Sequence, residues 1–430
     1  MTVRKRISSL TLLARISWLG LLYLVQGLPF GFQANALSAL LRERGFPLHT
    51  ITLSTALALP WSLKAIWAPF VDRFHWPRLG RRKSWIVPMQ IALIACAMGA
   101  ALALQRAQVI PLLLLIFAMN FCAATMDIAV DGLAVDILAG RTLGVGNAAQ
   151  VVGYKIGMMM GGGLLVWLAE TMGWGSSGVF SGMAGIIGIA LFFTLLVHEE
   201  KERGQGQNSH TSLRSIWIAL LDLMKLPAQR RLLLLVATYK AGESLIAPLL
   251  QPLLIDQGFS RSEIAYAIGT IGMAGSISGS LLSGLWALRV EIEKILSLLS
   301  WLRIGVLGLP WLIVAAGPFP IGLVAAASAL EHFVAGSVTT AMFAWMMQHT
   351  DRRIGASHYT LLATVEVLGK SPLSMVAGSL ASWAGPGTCF GLAMALSTGW
   401  ALLFRTLLQA PEEARCQEKN FLEQDKAPAP

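Results

Sequence analysis

The chain has 430 residues, of which 55% are hydrophobic and only 13% are charged, and its mean hydropathy is +0.64. A soluble domain usually carries about 25% charged residues, so this chain has too little polar surface to cover a globule in water. The formal net charge of +10 at pH 7 does not indicate a nucleic-acid partner, because no soluble basic surface is predicted. The composition therefore excludes an ordinary soluble protein and predicts a lipid bilayer as the solvent.

Twelve apolar segments are long enough to cross a bilayer as helices, for which about 20 residues suffice. In chain order, the predicted spans are 16–41, 50–71, 84–104, 109–138, 145–169, 176–197, 231–255, 262–288, 292–316, 320–348, 355–383 and 387–408. The apolar stretch of the first span is too long for a signal-peptide core, so we expect it to stay in the protein. These segments predict an all-α integral membrane protein.

The longest polar stretch separates the sixth span from the seventh. It predicts a division into an N-terminal half (1–197), a cytoplasmic linker (198–230), a C-terminal half (231–409) and a tail (410–430). The linker contains an amphipathic segment, Leu213–Leu226.

The two predicted halves resemble each other. In both Ala36–Ile51 and Pro248–Ile264, an apolar span ends in Gly-Phe and a polar turn. Two pseudo-symmetric six-helix halves joined by a linker predict the major facilitator superfamily fold, in which substrate binds near the bilayer midplane between the halves.

Lys and Arg side chains are concentrated in one set of loops, which includes Arg73, Arg78 and Arg81–Lys83. The loops on the other side hold only Arg42, Arg44, Arg106 and Arg261. Since cytoplasmic loops carry the excess of basic residues, this pattern predicts that both termini and the linker are cytoplasmic.

Ionisable side chains also occur inside the predicted spans. A charge at the bilayer centre costs about 2.5–3.5 kcal/mol on insertion scales, so it persists only where it meets a partner or a wet cavity. Most of these residues lie near the middle of their spans, which favours a shared polar route and hence a transporter. The ten residues are Lys64, Asp127, Asp131, Lys155, Lys240, Glu243, Arg303, Glu331, Glu366 and Lys370.

Asp127 and Asp131 are spaced i, i+4 and share one face of the fourth span. Two carboxylates this close in a low-dielectric site do not both ionise easily, a property suited to a proton carrier. Alternatively, Lys155 on the next span neutralises one of them as a structural pair. Lys240 and Glu243, at i, i+3, present a similar choice: they pair with each other, or Lys240 faces an anionic group of a substrate.

The other charged positions are interpreted individually. Glu366 and Lys370 are spaced for a local i, i+4 ion pair. His332 beside Glu331 is either a proton relay or a packing residue. Lys64 is expected to snorkel towards the cytoplasm, and Arg303 to face lipid or to have a structural role.

These patterns yield two sets of candidate residues. For substrate binding we predict Gln26, Tyr154, Lys155, Tyr239 and Lys240. For proton coupling we predict Asp127, Asp131, Glu243, Glu331 and Glu366. No HExxH, GxSxG or Walker motif occurs, and the four cysteines lack metal-ligand spacing, so no enzyme activity, metal or cofactor is expected.

The stretch DRFHWPRLGRRK (Asp72–Lys83) resembles the loop motif between the second and third helices of major facilitator transporters. The resemblance implies that Asp72, Arg81 and Arg82 form a cytoplasmic gate. The long spacing from Asp72 to Gly80, preceded by SLKAIWAPFVD, is similar to the acetyl-coenzyme A transporter family (solute carrier family 33) and its bacterial muropeptide-permease relatives. MDIAVDGLAVDIL (Met126–Leu138) is similar to that family too.

Five further stretches resemble an orphan member of the same family: LYLVQGLPFG, QVVGYKIG, TYKAGES, EHFVAGSVTT and HYTLLATVEVLGK. The resemblance implies a monomeric secondary transporter of a small organic solute that works by alternating access, with acetyl-CoA as the candidate cargo and protons as the candidate coupling ion. Coenzyme A thioesters are polyanions, however, and the predicted site balances acids against bases. A smaller monoanion or zwitterion, such as an amino sugar or a peptide-like solute, fits as well. A membrane sensor on the same scaffold is the alternative from another class.

Overall fold

A computed structural model describes residues 2–46, 54–76, 78–197, 212–317 and 319–408, and all their side chains except those of residues 2–11 and Arg261. The predicted tail (410–430) and residues 198–211 of the predicted linker lie outside the described residues. Nearly all of the described residues are helical. This agrees with the all-α class expected from the sequence.

The chain forms two compact units, each assembled from separate stretches. The first unit comprises Met1–Leu138, Ala149–Ala219 and Arg352–Thr364. The second unit comprises Ala139–Ala148, Leu220–Asp351 and Val365–Pro430.

The described residues form eighteen α-helices. In the first part of the chain they are α1 (Thr2–Gly31), α2 (Leu37–Glu43), α3 (Leu59–Leu63), α4 (Ala68–Arg73), α5 (Lys83–Gln105), α6 (Val109–Ile137), α7 (Thr142–Met159), α8 (Leu165–Thr171) and α9 (Gly175–Leu196). The rest are α10 (Leu213–Lys225), α11 (Pro227–Thr238), α12 (Ala241–Asp256), α13 (Arg261–Ile264), α14 (Met273–Trp286), α15 (Ile292–Ala316), α16 (Ile321–Gln348), α17 (Gly355–Ala384) and α18 (Pro386–Leu408). π-Helical turns join three pairs of these helices, at Phe32–Ala36, Met160–Leu164 and Ala265–Gly272.

Ten helices in the described part of the chain are long and apolar enough to cross a membrane. They correspond to every predicted span except the second and the eleventh. The eleventh predicted span is present as α17, a continuous helix of 30 residues. Its polar residues, Glu366 and Lys370 among them, lower its hydropathy.

The second predicted span is not one helix. Residues 50–53 of this span lie outside the described residues, and the remainder alternates between 3₁₀ turns at Ser54–Ala58 and Lys64–Ile66 and the short helices α3 and α4. Pro60 and Pro69 each lie in the first turn of one short helix. Proline lacks an amide donor and is favoured at a helix start, so each one begins a new helical segment.

In the first unit, α1 lies directly against α7 and the π-helical turn that follows it. A Cβ atom added at Gly157 would overlap the carbonyl oxygen of Leu24, and one added at Gly161 would overlap that of Leu28. Only glycine permits two helix backbones to approach this closely. The same contact brings Gly27 of α1 against the Tyr154 carbonyl group of α7.

In the second unit, α14 packs along α16, where an added Cβ at Gly279 would overlap the Phe333 carbonyl oxygen. Ser337 donates a hydrogen bond to the Gly279 carbonyl at 2.9 Å. An apolar core that includes Leu245, Leu307 and Phe390 joins α12, α15 and α18. This core holds the first turns of α12, which carry Glu243 and directly follow Tyr239 and Lys240.

Candidate functional site

The first group of candidate residues is the Asp131 cluster, which we define as Tyr23, Lys64, Asp127, Asp131 and Gln150. Helix α6 places both carboxylates on one face, and Asp127 and Asp131 are only 6% and 1% exposed. Lys64 forms an ion pair with Asp127, and its Nζ lies 3.9 Å from Asp131 Oδ2. One ammonium group thus faces two buried carboxylates.

Asp131 is held from two further helices. The Tyr23 hydroxyl of α1 donates to Asp131 Oδ1 at 2.7 Å, and the Gln150 amide of α7 donates to the same oxygen at 3.2 Å. The Tyr359 hydroxyl of α17 donates in turn to Gln150 Oε1 at 3.4 Å. A continuous chain of hydrogen bonds therefore runs from Asp131 to the start of α17.

The position of Lys64 corrects one expectation. We expected Lys64 to snorkel, but its side chain is buried against Asp127 and lies 5.7 Å from the centre of the Trp61 ring. Lys64 thus neutralises Asp127. Lys155, which the alternative interpretation gave as the partner of one of the two acids, is half-buried on α7. One sign in the sequence indicates a specific role for Lys64: it belongs to the SLKAIWAPFVD stretch.

Two other predicted binding residues lie in the same unit. The Tyr154 ring packs against Phe30 and Trp61, with centroids 6.0 and 5.9 Å away. Gln26 is completely buried, and its amide nitrogen and oxygen have no hydrogen-bond partner among the described residues. A buried amide in this condition costs free energy unless water or a ligand satisfies it.

The second group is the Glu366 cluster, which we define as Tyr239, Lys240, Glu366 and Lys370. Glu366 is 5% exposed. Its carboxylate lies 3.2 Å from the Lys240 ammonium and 2.9 Å from that of Lys370, and the Tyr239 hydroxyl donates to it at 3.3 Å. The local i, i+4 pair of Glu366 and Lys370 expected from the sequence is confirmed, and Lys240 joins it.

Glu243 has a different partner from the one that its spacing suggested. Its carboxylate lies 2.7 Å from a guanidinium nitrogen of Arg303, and a second nitrogen of Arg303 donates to the Tyr239 carbonyl at 2.8 Å. The interpretation in which Lys240 and Glu243 pair with each other is therefore wrong. Arg303 is buried and structural, one of the two roles expected for it.

Glu331 and His332 form a local contact on α16. His332 Nδ1 lies 2.6 Å from Glu331 Oε2 and 3.0 Å from the Ser328 carbonyl oxygen. Both side chains are half-buried. A single nitrogen thus serves both contacts, so the pair is a compact titratable unit within α16.

The third group is the Asp72 cluster, which we define as Asp72, Arg81, Arg82, Asp136 and Ser357. One Asp72 oxygen accepts from Arg81 at 3.0 Å and from Arg82 at 2.8 Å. The other accepts from the Ser357 amide at 2.7 Å and the Ser357 hydroxyl at 2.6 Å. Because Ser357 is in the first turn of α17, Asp72 satisfies an amide that the helix itself leaves unpaired.

Arg82 is fully buried at the centre of this cluster and also lies 2.6 Å from Asp136. Burial of Asp72 favours its neutral form, but the two guanidinium groups and the hydrogen bonds from Ser357 outweigh this and hold the pKa of Asp72 below its usual value. The Asp72 carboxylate, which follows the second predicted span, is therefore ionised throughout the neutral range.

We predict that Gly132→Ala disrupts the Asp72 cluster. The added Cβ would lie 2.6 Å from the Arg82 guanidinium carbon and 2.8 Å from the Ala356 Cβ, so Arg82 must move. Overpacking of this kind costs about 1–3 kcal/mol, which a thermal unfolding assay of the purified protein would detect. Gly188→Ala is the matched control, because nothing lies within 4 Å of its added Cβ. Equal stability of the two variants would contradict the prediction.

Sequence reasoning found part of this cluster. It singled out Asp72, Arg81 and Arg82, which the structure brings together, and it missed Asp136 and Ser357. Asp136 lies within the MDIAVDGLAVDIL stretch, and Ser357 lies at a predicted helix start, where free amides need acceptors. Both signals are in the sequence, but neither identifies the residue with which Asp136 or Ser357 interacts. Within the described residues, no three His, Cys, Asp or Glu side chains are grouped to hold a metal ion.

The chain is similar to a family model and to individual transport proteins. Residues 15–171 match the family model described as acetyl-coenzyme A transporter 1. The anhydromuropeptide permease of Escherichia coli (strain K12) is 26% identical over 405 residues, which cover 94% of this chain and 81% of the permease. Putative transporter AmpG 4 of Rickettsia felis is 27% identical over 372 residues, 85% of this chain and 89% of that protein.

Solved structures resemble the chain over most of its length. The Major Facilitator Superfamily transporter FucP in its outward conformation aligns with a TM-score of 0.70 at 12% identity, covering 91% of this chain and 98% of FucP. The human organic anion transporter MFSD10 (TETRAN) aligns with a TM-score of 0.64 at 16% identity, covering 92% of this chain and 99% of that chain. At these identities the likeness concerns the fold alone.

Proposed function

Because this chain is a multi-pass membrane transporter with the major facilitator fold, we propose that it carries a small organic anion across the membrane by alternating access and couples this movement to protons. The observation that carries the proposal is the pair of buried ionisable clusters around Asp131 and Glu366. Charged side chains within membrane spans are costly and mark ion or substrate pathways.

The Asp131 cluster supports the proton role. Two buried carboxylates, Asp127 and Asp131, share the Lys64 ammonium group. Neutral donors, Tyr23 and Gln150, also bond to Asp131. Because Lys64 lies closer to Asp127 and pairs with it, Asp131 can take up and release a proton while that ion pair stays intact. Asp127, Glu243, Glu331 and Glu366 remain further candidates for proton handling.

The Glu366 cluster supports the anion. Lys240, Lys370 and Arg303 face two carboxylates, Glu366 and Glu243, so these five groups carry one excess positive charge. Lys370 and Lys240 keep 35% and 17% of their side chains exposed, which leaves their ammonium groups within reach of a ligand. A carboxylate or phosphate of a substrate would complete the charge balance. Tyr239, Tyr154, Lys155 and Gln26 are proposed as further contacts.

The charge count favours a solute with one net negative charge. One excess cation does not balance a coenzyme A thioester, which carries several charges, unless protons neutralise Glu366 and Glu243. Acetyl-CoA is supported by the family model that matches residues 15–171. An amino-sugar or peptide-like anion is supported by the permease that aligns with 94% of the chain. We favour the second class.

The Asp72 cluster is proposed as the cytoplasmic gate, with Asp72, Arg81 and Arg82 as its principal residues. In the structure these residues tie the end of α4 to the first turn of α17. Release of this contact would free the start of α17 during transport. The proposal includes cytoplasmic termini, six-helix halves at 1–197 and 231–409, and a monomer as the working unit.

A ligand screen followed by an exchange assay tests this function. Purified protein is heated with acetyl-CoA, simple carboxylates, amino sugars and an anhydromuropeptide, and the solute that raises the melting temperature is then used as the labelled probe. Proteoliposomes preloaded with the unlabelled solute should take up the labelled solute. A solute that stabilises the protein but is never exchanged would indicate a membrane sensor and overturn the transport proposal.

We predict that Lys240→Gln weakens binding of the anionic solute by about tenfold or more, because a hydrogen-bonded charge pair at a buried site typically contributes more than 1.4 kcal/mol. The thermal shift measured against solute concentration gives the change in Kd. Lys294→Gln is the matched control, since Lys294 is exposed and pairs with Glu291, its neighbour at i, i+3 in the chain. Unchanged affinity in Lys240→Gln would remove Lys240 from the substrate site.

A further inference from the structure

The first turns of α17 contact two of the clusters described above. Ser357 donates two hydrogen bonds to Asp72, and Tyr359, two residues later, donates to Gln150. Ser357 and Tyr359 are each 1% exposed. A buried helix segment of this length cannot move at one of these residues without moving at the other.

Gln150 connects Tyr359 to the carboxylate. Its amide nitrogen donates to Asp131 Oδ1 at 3.2 Å while its amide oxygen accepts from Tyr359 at 3.4 Å. The amide orientation is therefore fixed by two partners of opposite hydrogen-bonding type. It depends on Asp131 being an acceptor, which an ionised carboxylate always is.

We propose that Gln150 and Tyr359 transmit the charge state of Asp131 to the Asp72 cluster through the start of α17. This inference rests on the proposed function in that it takes Asp131 as the group that changes protonation. Gln150 and Tyr359 act as positioning residues, since they affect the gate through Ser357 and touch no substrate.

The direction of the effect follows from hydrogen-bond strength. An ionised Asp131 makes charge-assisted bonds with Tyr23 and Gln150, which are stronger than bonds to a neutral carboxyl. When Asp131 is neutral, its bond with the Gln150 amide is weaker, and the bond from Tyr359 to that amide is weaker in turn. The start of α17 is then held less firmly at Tyr359, so its bonds to Asp72 weaken. The ionised carboxylate thus holds the gate closed, and protonation loosens it.

We call the hydrogen-bonded residues Asp131, Gln150 and Tyr359 the relay. Several charged or titratable groups lie around its carboxylate, Asp131. On α6, Asp127 lies one helical turn before Asp131. From the other packed elements, Lys64 approaches Asp131 at 3.9 Å and Tyr23 donates to it at 2.7 Å. Lys64 pairs with Asp127 as well, so the ammonium group remains partnered when Asp131 is neutral.

Hydrogen–deuterium exchange tests the relay, because the Ser357 amide is itself bonded to Asp72. Exchange of peptides covering the start of α17 is measured on the full chain in lipid nanodiscs. Asp131→Asn mimics the neutral carboxyl and should speed exchange there by about three- to tenfold, the ratio that one ordinary hydrogen bond supports. In a Tyr359→Phe background, Asp131→Asn should change this exchange by less than about twofold.

Glu170→Gln is the matched control, because it removes an exposed carboxylate of the same unit. It should leave exchange at α17 unchanged. Either of two results would overturn the relay: no effect of Asp131→Asn on α17, or a full effect that persists in Tyr359→Phe. Exchange of α5 and α9, measured in the same experiment, shows whether each variant is folded.

The same experiment separates the relay from the proton role. Wild-type exchange is measured in mildly acidic and mildly alkaline buffer and corrected for the intrinsic pH dependence of amide exchange. If acid speeds exchange at α17 and Asp131→Asn removes this response, the relay and the proton role are both supported. If Asp131→Asn speeds exchange but acid does not, the relay is supported and the proton role of Asp131 is contradicted.

Discussion

Asp131→Asn is expected to abolish pH-driven accumulation of the solute while solute exchange across the membrane continues. Asparagine has the shape of aspartic acid and still accepts the hydrogen bond from Tyr23, but it cannot bind or release a proton. A carrier locked in the neutral form can still exchange one solute molecule for another, but it cannot use a proton gradient. Uptake into proteoliposomes is measured with and without an imposed pH difference.

The control for this experiment is Glu170→Gln, which removes an exposed carboxylate of α8 and should accumulate solute like the wild type. Insertion of each variant is checked by its yield from the membrane fraction. Accumulation that keeps its full pH dependence in Asp131→Asn would show that another group carries the proton. Asp127 would then be the next residue to test, since it shares the same face of α6.

Arg303→Met is expected to cause a large loss of stability in the second unit. Arg303 is 6% exposed, and its guanidinium group satisfies both the Glu243 carboxylate at 2.7 Å and the Tyr239 carbonyl at 2.8 Å. Removal of one partner of a buried ion pair leaves the other uncompensated and costs about 3–5 kcal/mol. Thermal unfolding of the purified protein is the measurement.

A second substitution shows whether the unpaired charge causes this loss. Arg303→Met combined with Glu243→Gln removes both charges and should regain most of the stability, since replacement of a whole buried pair is often nearly neutral. Arg289→Met is the matched control, because Arg289 is exposed, and it should stay close to the wild type. If the double variant is as unstable as Arg303→Met alone, the loss comes from packing or from the Tyr239 carbonyl.

The sequence was sufficient for features that depend on neighbouring residues. Helical spans follow from runs of apolar residues, and ten of them are present in the described part of the chain. The ion pair of Glu366 and Lys370 follows from i, i+4 spacing on one helix. Asp72, Arg81 and Arg82 lie within one short stretch, so a contact between them needs only a turn of the chain.

Partners distant in the chain could not be derived in the same way. Lys64 and Asp127 are 63 residues apart, and Arg303 and Glu243 are 60 residues apart. Spacing rules assign each residue a face of its own helix, but they do not say which helix packs against that face. Spacing therefore offers Lys240 either Glu243 or an anionic group of a substrate, whereas in the structure it pairs with Glu366 of α17.

The interruption of the second span has a local cause that the sequence contained. Pro60 and Pro69 stand at the starts of α3 and α4. A proline lowers the mean hydropathy of an apolar segment only slightly, so hydropathy alone does not reveal the break. The break has a consequence for the candidate site. The 3₁₀ turn at Lys64–Ile66 carries Lys64, which meets Asp127.

The close approach of α1 and α7 restricts how this part of the molecule moves. With Gly157 and Gly161 seated on the carbonyl groups of Leu24 and Leu28, neither helix can rotate about its own axis without a collision of main-chain atoms. The two helices are therefore expected to move as one rigid pair. Spectroscopic labels attached to this pair would keep a constant separation in any rearrangement of the protein, and they would serve as an internal reference for the parts that do move.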